Sequence, residues 1–226
     1  MEDSLGDRMK AYEKQYTLEK FRKDQPLVLR FDGRSFSKFT KSFDRPFDQR
    51  ITDAMVAASK ALISETNAKV VYTQSDEITV VYPSFVNPLS DREFTGKHHK
   101  IISVYASIVT AHFSKAISVY TDKLAYFDCR GFNVPDEGEA INAVIWRIQD
   151  ARRNAVSASY RWTLGHKIMQ GKSCEQMKHE LGEVYTKLPQ QFKYGTMITK
   201  NGKICLDNFS KMPFSEKVTC IFGEEK

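Results

Sequence analysis

The chain has 226 residues, enough to bury a substantial core in one or two closely joined units. Its 34 lysines and arginines against 28 aspartates and glutamates leave a formal charge of +6, a mildly basic balance that suits phosphate-rich partners. No apolar run approaches the ~20 residues of a membrane span, and Cys129, Cys174, Cys205 and Cys220 form no Cys-x-x-Cys pair, so a disulfide framework and a zinc ribbon are excluded and reduced thiols in a cytoplasmic chain are expected.

In chain order, Leu27-Val28-Leu29-Arg30-Phe31-Asp32 predicts a strand that delivers Asp32 into a turn at Gly33. From Phe47 to Glu65, Ile51, Ala54, Met55, Ala58 and Leu62 recur at three- and four-residue steps, the period of a helix, with Asn67 as its left-handed stop. Val70–Thr73 and Ile78–Tyr82 predict a hairpin with a polar Gln74-Ser75-Asp76 tip beside Glu77. After a loop with Pro83 and Pro88, Ser90 and Glu93 read as a capping box for a long helix carrying Ile101, Val104, Tyr105, Ile108, Val109 and Phe113. Leu124 to Asp128 predicts a further short strand.

Residues 137 to about 161 form an amphipathic helix with Ile141, Val144, Ile145, Ile148, Ala151 and Ala155 on its inner stripe. Arg147, Asp150, Asn154 and Arg161 follow a second stripe, which fits either a solvated face stitched by Arg147–Asp150 pairing or a face that meets a phosphate-rich ligand. Trp146 and Trp162 are expected in packing rather than in stacking on bases. Ser173 with Gln176 forms a second capping box, opening a helix through Leu181 and Tyr185. Asn201-Gly202 predicts a type I′ hairpin of Met197–Thr199 and Ile204–Leu206, with Lys193, Lys200 and Lys203 along a basic edge.

The order β-α-β-β-α-β is that of the ferredoxin-like split unit, an α+β fold with an antiparallel sheet. It divides the chain into a core over 1–135, with an N-terminal helix, and a helical region with a β-hairpin over 136–226 packed on it. In that topology the first and third strands are central neighbours, so Asp32 comes to lie beside Asp76 and Glu77. Asp and Gly also populate ordinary turns, so each motif alone has a bland reading. Together, carboxylates at strand ends beside a glycine backbone carbonyl can hold two Mg²⁺ ions roughly 4 Å apart, for in-line transfer at phosphorus. Arg30, Arg34, Lys38, Lys41 and Arg45 are the nearby cations for phosphate oxygens. Neither a P-loop nor a Gly-x-Gly-x-x-Gly motif is present, and His98, His99, His112, His166 and His179 lack ligand spacing with one another.

Arg30-x-Asp32-Gly33-Arg34-x-Phe36 followed by Gln74-Ser75-Asp76-Glu77 resembles the tRNA-His guanylyltransferase family, the 3′-to-5′ polymerases. The resemblance extends through Leu5-Gly6-Asp7-Arg8-Met9-Lys10-x-Tyr12-Glu13, Arg45-Pro46-x-Asp48, Phe127-Asp128-x-Arg130 and Trp146-Arg147-x-x-Asp150. It implies a polymerase- or cyclase-type palm in which Asp32, the Gly33 carbonyl and Asp76 bind Mg²⁺, with Asp32, Asp76 and Glu77 as the acids of catalysis. Asp32 to Ser37 (Asp32, Gly33, Arg34, Ser35, Phe36, Ser37), Arg45, Asp48, Ser75 and Asp76 would contact nucleoside triphosphate. Arg152, Arg153, Asn154, Arg161 and Lys193 would meet RNA. The substrates implied are tRNA, ATP, GTP and other NTPs, and the assembly implied is a homotetramer.

Guanylyltransferases proper carry a His-x-Asn-Asn-Leu-Tyr-Asn motif after the Trp-Arg segment. Here the chain reads Asp150-Ala151-Arg152-Arg153-Asn154-Ala155-Val156-Ser157, and Gln149 stands one place later than in the usual Trp-Arg-Gln order. That pattern is similar to the guanylyltransferase-like branch, which adds templated nucleotides to 5′-truncated tRNAs. The alternatives are a tRNA-His guanylyltransferase proper, a nucleotide cyclase sharing the palm, and an RNA-binding module without catalysis on the same scaffold.

Overall fold

A strand buried on both faces must be apolar almost without interruption, and among the segments that approach this demand are β1 (Leu27–Gly33) and β3 (Glu77–Tyr82). In the computed structural model, which describes residues 5–15, 18–85, 87 and 89–222, these are neighbouring inner strands of a six-stranded antiparallel sheet. The loop residue Pro88 lies outside the described residues. The other strands are β2 (Val70–Gln74), β4 (Phe127–Asn133), β5 (Thr196–Thr199) and β6 (Gly202–Ile204), and the spatial order is β4-β1-β3-β2-β5-β6. Its first four members form the expected split unit. The helices are α1 (Leu5–Gln15), α2 (Phe36–Phe39), α3 (Gln49–Glu65), α4 (His98–Ile117), α5 (Glu137–Thr163), α6 (Cys174–Leu181), α7 (Glu183–Thr186), α8 (Gln190–Tyr194), α9 (Leu206–Lys211) and α10 (Phe214–Phe222).

The two-residue period of the strands divides the core into two layers. Leu29, Phe31, Ile78 and Val80 pack on α3 and α4 through Met55, Leu62, Val109 and Phe113. Val28, Tyr72 and Val81 pack on the opposite layer, against Val144 and Ile148 of α5 and Phe209 of α9. Among the described residues no helix is long and apolar enough to cross a membrane, and all four cysteines are unpaired.

Several boundaries differ from the sequence expectation, each for a local reason. Leu124 and Tyr126 are exposed and precede the fourth strand, which begins at Phe127 and pairs along β1 as far as Asn133. Its polar stretch hid it: β4 is an edge, and only its inward positions need be apolar. Helix α3 stops because Thr66 turns extended, at φ −134°, and its hydroxyl donates back to the Leu62 carbonyl; Asn67 is not left-handed. Helix α4 begins at His98 without a side-chain cap, so Ser90 and Glu93 form no capping box. The preceding segment is tied instead to residues 19–22: Phe21 N donates to Gly96 O at 2.9 Å, His98 N to Glu19 O at 3.0 Å, and the buried Arg92 to Arg22 O at 2.9 Å.

The Ser173–Gln176 capping box is present, but Gly182, at φ 50°, ends α6 at Leu181 and Tyr185 belongs to the separate α7. The turn between β5 and β6 is centred on Lys200-Asn201, not Asn201-Gly202. Gly202 takes φ 116° and pairs with Thr199, closing a two-residue turn, and Leu206 opens α9 instead of closing the strand. The C-terminal hairpin extends the sheet, since β5 pairs with β2 from Thr73↔Thr196 to Val70↔Thr199.

Candidate active site

The antiparallel register of β1 and β3 places Asp32 directly opposite Glu77, hence on the same face of the sheet. The turn that joins β2 to β3 carries Ser75 at φ 51° and brings Asp76 back over β1, where Gly33 N donates to Asp76 O at 3.1 Å. Any side chain at Gly33 would be blocked: its Cβ would lie 2.5 Å from the Phe36 ring and 3.0 Å from Asp76 Cβ. Asp76 Oδ1 accepts from Ser75 Oγ at 3.0 Å. Burial pushes the Asp76 carboxyl above the usual carboxylate range, and the charges of Asp32 and Glu77 push it further. A cation would relieve that repulsion. Among the described residues no three His, Cys, Asp or Glu side chains form a ready metal cage. Two carboxylates and the Gly33 carbonyl fit Mg²⁺, which binds through one or two acids and leaves its other positions to water and phosphate.

Glu77 is engaged elsewhere. Arg147 Nε donates to Glu77 Oε1 at 2.6 Å and Arg147 Nη2 to Glu77 Oε2 at 2.8 Å, a two-pronged pair. The stripe of Arg147 fitted either a solvated or a ligand-meeting face, but Arg147 itself is buried, and its pairing with Asp150 at 2.9 Å is secondary to Glu77. Burial opposes the Arg147 charge, yet the hydrogen bonds and charge of Glu77 and Asp150 outweigh it and raise its pKa. Asp150 also accepts from Arg153 at 2.9 Å and from Asn154 at 3.3 Å.

Beside Asp76 opens a cleft of ≈ 340 Å³, in the range of small-molecule sites. Of the expected nucleotide contacts, Phe36, Ser37, Arg45, Asp48, Ser75 and Asp76 line it. Asp32 and Gly33 stand at its acid edge, while Arg34 and Ser35 lie exposed in the turn beyond, where Arg34 N donates to Tyr126 O at 2.8 Å. The Phe36 ring is mostly spent on packing with Phe39, Phe113 and Phe127. The opposite wall comes from Ala151, Asn154, Ala155 and Ala158 of α5 and from Phe192, which stacks on Phe47 with centroids 5.1 Å apart. The aromatic pair escaped the sequence reading; an aromatic in the Arg-Pro-x-Asp slot is its only local signal.

Asp48 is less free to bind a ligand than its motif implies. Its carboxylate caps α3 by accepting from Arg50 N at 2.8 Å, and it also accepts from Asp44 N at 2.8 Å and Arg50 Nε at 2.9 Å. The Arg50 hydrogen bonds lead in lowering its pKa to about 2. The resulting stability is present above the unfolded value of 3.8 and is lost as pH falls through about 2. Asp48→Asn is therefore expected to remove about 2 kcal/mol at neutral pH, with the deficit vanishing in strong acid, measured by urea melts across pH.

Of the expected RNA contacts, Arg152 is exposed with its guanidinium 5.4 Å from the Tyr194 ring, and Arg161 is exposed near the end of α5. Asn154 belongs to the cleft wall. Lys193 is buried, donating to Thr186 O at 2.9 Å, so it takes no part in a basic edge at the hairpin; only Lys200 and Lys203 are exposed there. Trp146 and Trp162 are not packed inside: they are 49% and 63% exposed. Arg147 and Arg30 sit 4.6 Å and 5.7 Å from the Trp146 ring.

An antiparallel palm whose central strands end in acids at the lip of a nucleotide-sized cleft defines an enzyme of nucleotidyl transfer. Residues 6–135 match the family described as Thg1: tRNAHis guanylyltransferase. The chain belongs to this family of nucleotidyltransferases. It is 30% identical to an uncharacterized protein of Acanthamoeba polyphaga mimivirus over 227 residues, covering 88% of this chain and 77% of the viral one. A bacterial tRNA(His) guanylyltransferase-like protein in complex with ATP superposes with a TM-score of 0.85 at 32% identity, covering 97% of this chain and 100% of that one. One in complex with GTP gives 0.80 at 30% identity, covering 98% of each.

Proposed function

We propose that this protein is a Mg²⁺-dependent 3′-to-5′ nucleotidyltransferase that activates the 5′ end of a truncated tRNA with ATP and then extends it. The observation that carries the reading is the junction of the Asp32–Asp76 edge with a cleft of ≈ 340 Å³. Bacterial guanylyltransferase-like proteins of similar fold bind ATP and GTP, which supports both as substrates. In the first step an oxygen of the RNA 5′-monophosphate attacks the α-phosphate of ATP and pyrophosphate leaves. In the second, the 3′-hydroxyl of an incoming NTP attacks the activated 5′-phosphate and AMP leaves. Asp32, Asp76 and the Gly33 carbonyl would hold two Mg²⁺ ions, whose contribution when bound is to neutralise charge at the reacting phosphates. Arg45, whose guanidinium donates to Thr40 O at 3.3 Å, is held at the cleft mouth for the triphosphate.

The preference for truncated tRNA over tRNA-His rests on α5. Residues 150–157, which stand where guanylyltransferases proper carry their His-Asn motif, bring Ala151, Asn154 and Ala155 to the cleft, and Ala158 follows them there. The methyl groups of Ala151, Ala155 and Ala158 offer a base no hydrogen bond and Asn154 offers a single amide, so this wall supports nucleotide choice by a template more than by the pocket. On this reading the protein works in the cytoplasm as a homotetramer, and residues 1–135 and 136–226 serve as the catalytic core and the substrate-facing region.

The decisive experiment supplies α-labelled ATP, Mg²⁺ and a 5′-truncated, monophosphorylated tRNA. Label on the RNA 5′ end is the expected result; label in cyclic AMP would make the protein a cyclase, and no transfer a binder. Arg152, Arg153 and Arg161 are proposed to meet tRNA phosphates. Arg152→Ala with Arg153→Ala should weaken tRNA binding and flatten its salt dependence by somewhat under one unit of slope for each phosphate left without its arginine, with ATP affinity unchanged. An unaltered slope in filter binding would return these arginines to the solvated face.

A further inference from the structure

We propose that Arg147 is the positioning residue of the acid edge: by holding both oxygens of Glu77 it keeps a third carboxylate away from the divalent cations, so that Asp32 and Asp76 receive them alone. The inference deepens the proposed function and rests on the assignment of Asp32 and Asp76 as the cation-binding pair. Glu77 faces Asp32 across the β1–β3 register and follows Asp76 in the chain, so its free carboxylate would stand within reach of the same ions. Three free acids at one strand end form a richer oxygen cage than Mg²⁺ needs. They would hold the ion before substrate arrives and occupy positions that substrate phosphates must take.

The guanidinium is fixed for this task. The Arg147 side chain is 9% exposed and that of Glu77 12%. Both prongs of the fork are engaged, at 2.6 Å and 2.8 Å, and Nη2 also donates to Asp150 at 2.9 Å while the Trp146 ring lies 4.6 Å away. A lysine could match the charge but not the two-pronged geometry. The same helix carries Ala151, Asn154 and Ala155 into the cleft wall. One ion pair thus pins the wall that receives the nucleotide to the strand that carries the acids.

The test is Mn²⁺ binding without nucleotide or RNA, followed by electron paramagnetic resonance, together with turnover. Arg147→Met is expected to bind Mn²⁺ roughly tenfold more tightly than the parent while turning over at least tenfold more slowly, the size of effect usual for outer-shell partners of a metal site. General damage to the fold would weaken both. Adding Glu77→Gln to Arg147→Met removes the released carboxylate and should return Mn²⁺ affinity to the parental value. If Arg147→Met does not fold, Arg147→Lys carries the same comparison, with a smaller tightening. Mn²⁺ affinity that is unchanged or weaker in the single variant, or a double variant indistinguishable from it, overturns the inference. Asp76→Asn separates the two levels: if it leaves parental Mn²⁺ binding intact, the acid-pair assignment itself has failed, whereas its loss alongside an unresponsive Arg147→Met defeats the positioning role alone.

Discussion

Asp76→Asn is expected to lower turnover by about a thousandfold while leaving the protein folded and, without divalent cation, at least as stable as its parent. The amide keeps the shape of the side chain and removes the charge that holds a cation at the reacting phosphates. A loss of about 4 kcal/mol of transition-state stabilisation corresponds to three decades at ~1.4 kcal/mol each. The stability half follows from linkage. Because burial, Asp32 and Glu77 raise the Asp76 carboxyl above 3.8, the native protein holds this proton to higher pH than the unfolded chain does. That contribution is present below the unfolded value and is lost as pH rises through the folded one, so at neutral pH the ionised group weakens the fold. Asparagine carries no such penalty. Thermal melts should therefore show a Mg²⁺-dependent rise in Tm for the parent and none for the variant. Turnover within tenfold of the parent would reduce Asp76 to a turn residue.

The acid edge was legible in the sequence because it is built from local signals whose convergence follows from topology. A strand ending at Asp32, a hairpin turning at Asp76 and a βαββαβ order suffice to bring the two together, and β1 and β3 are neighbours as that order requires. Neither reading of the Arg147 stripe foresaw its burial, for a reason that lies in periodicity itself. A helix wheel scores arginine as polar and assigns it to water, but a guanidinium can enter a core when a carboxylate from another element meets it, and the partner lies 70 positions away. Lys193 failed the same way: its ammonium is buried against a carbonyl from the preceding turn, and nothing in the local pattern announces Thr186 as its acceptor. Helix ends were misplaced where long-range ties overrode local caps. The Ser90–Glu93 pattern is a sound start signal, yet residues 96 and 98 are captured by the backbone of Phe21 and Glu19 before a helix can begin. The cleft lay furthest from view, because its walls come from the turns after β1 and β2, from α3, from α5 and from α8.

Gly33→Ala should cost both stability and catalysis, and a second glycine separates the two. A methyl at Gly33 would lie 2.5 Å from Phe36 Cδ2 and 3.0 Å from Asp76 Cβ. The Phe36 ring cannot retreat, since Phe39, Phe113 and Phe127 hold it, so the strain passes to Asp76 and to the turn that aims it. Overpacking of this kind costs about 1–3 kcal/mol, and displacing a reacting group's ligand by about 1 Å costs roughly a hundredfold in rate. Gly131 is equally crowded: its methyl would meet Leu29 Cδ2 at 2.5 Å and Phe21 Cζ at 2.7 Å. It pairs with Leu29, however, three positions along β1 from Asp32, and it touches neither acid. Gly131→Ala is thus expected to lower Tm by a similar amount, about 2–4 °C per kcal/mol for a chain of this length, while turnover per folded molecule stays near the parental rate. Equal loss of turnover in the two variants would mean that crowding anywhere in this sheet disables the enzyme. Loss confined to Gly33→Ala would mean that Gly33 is bare because Asp76 must come this close to β1.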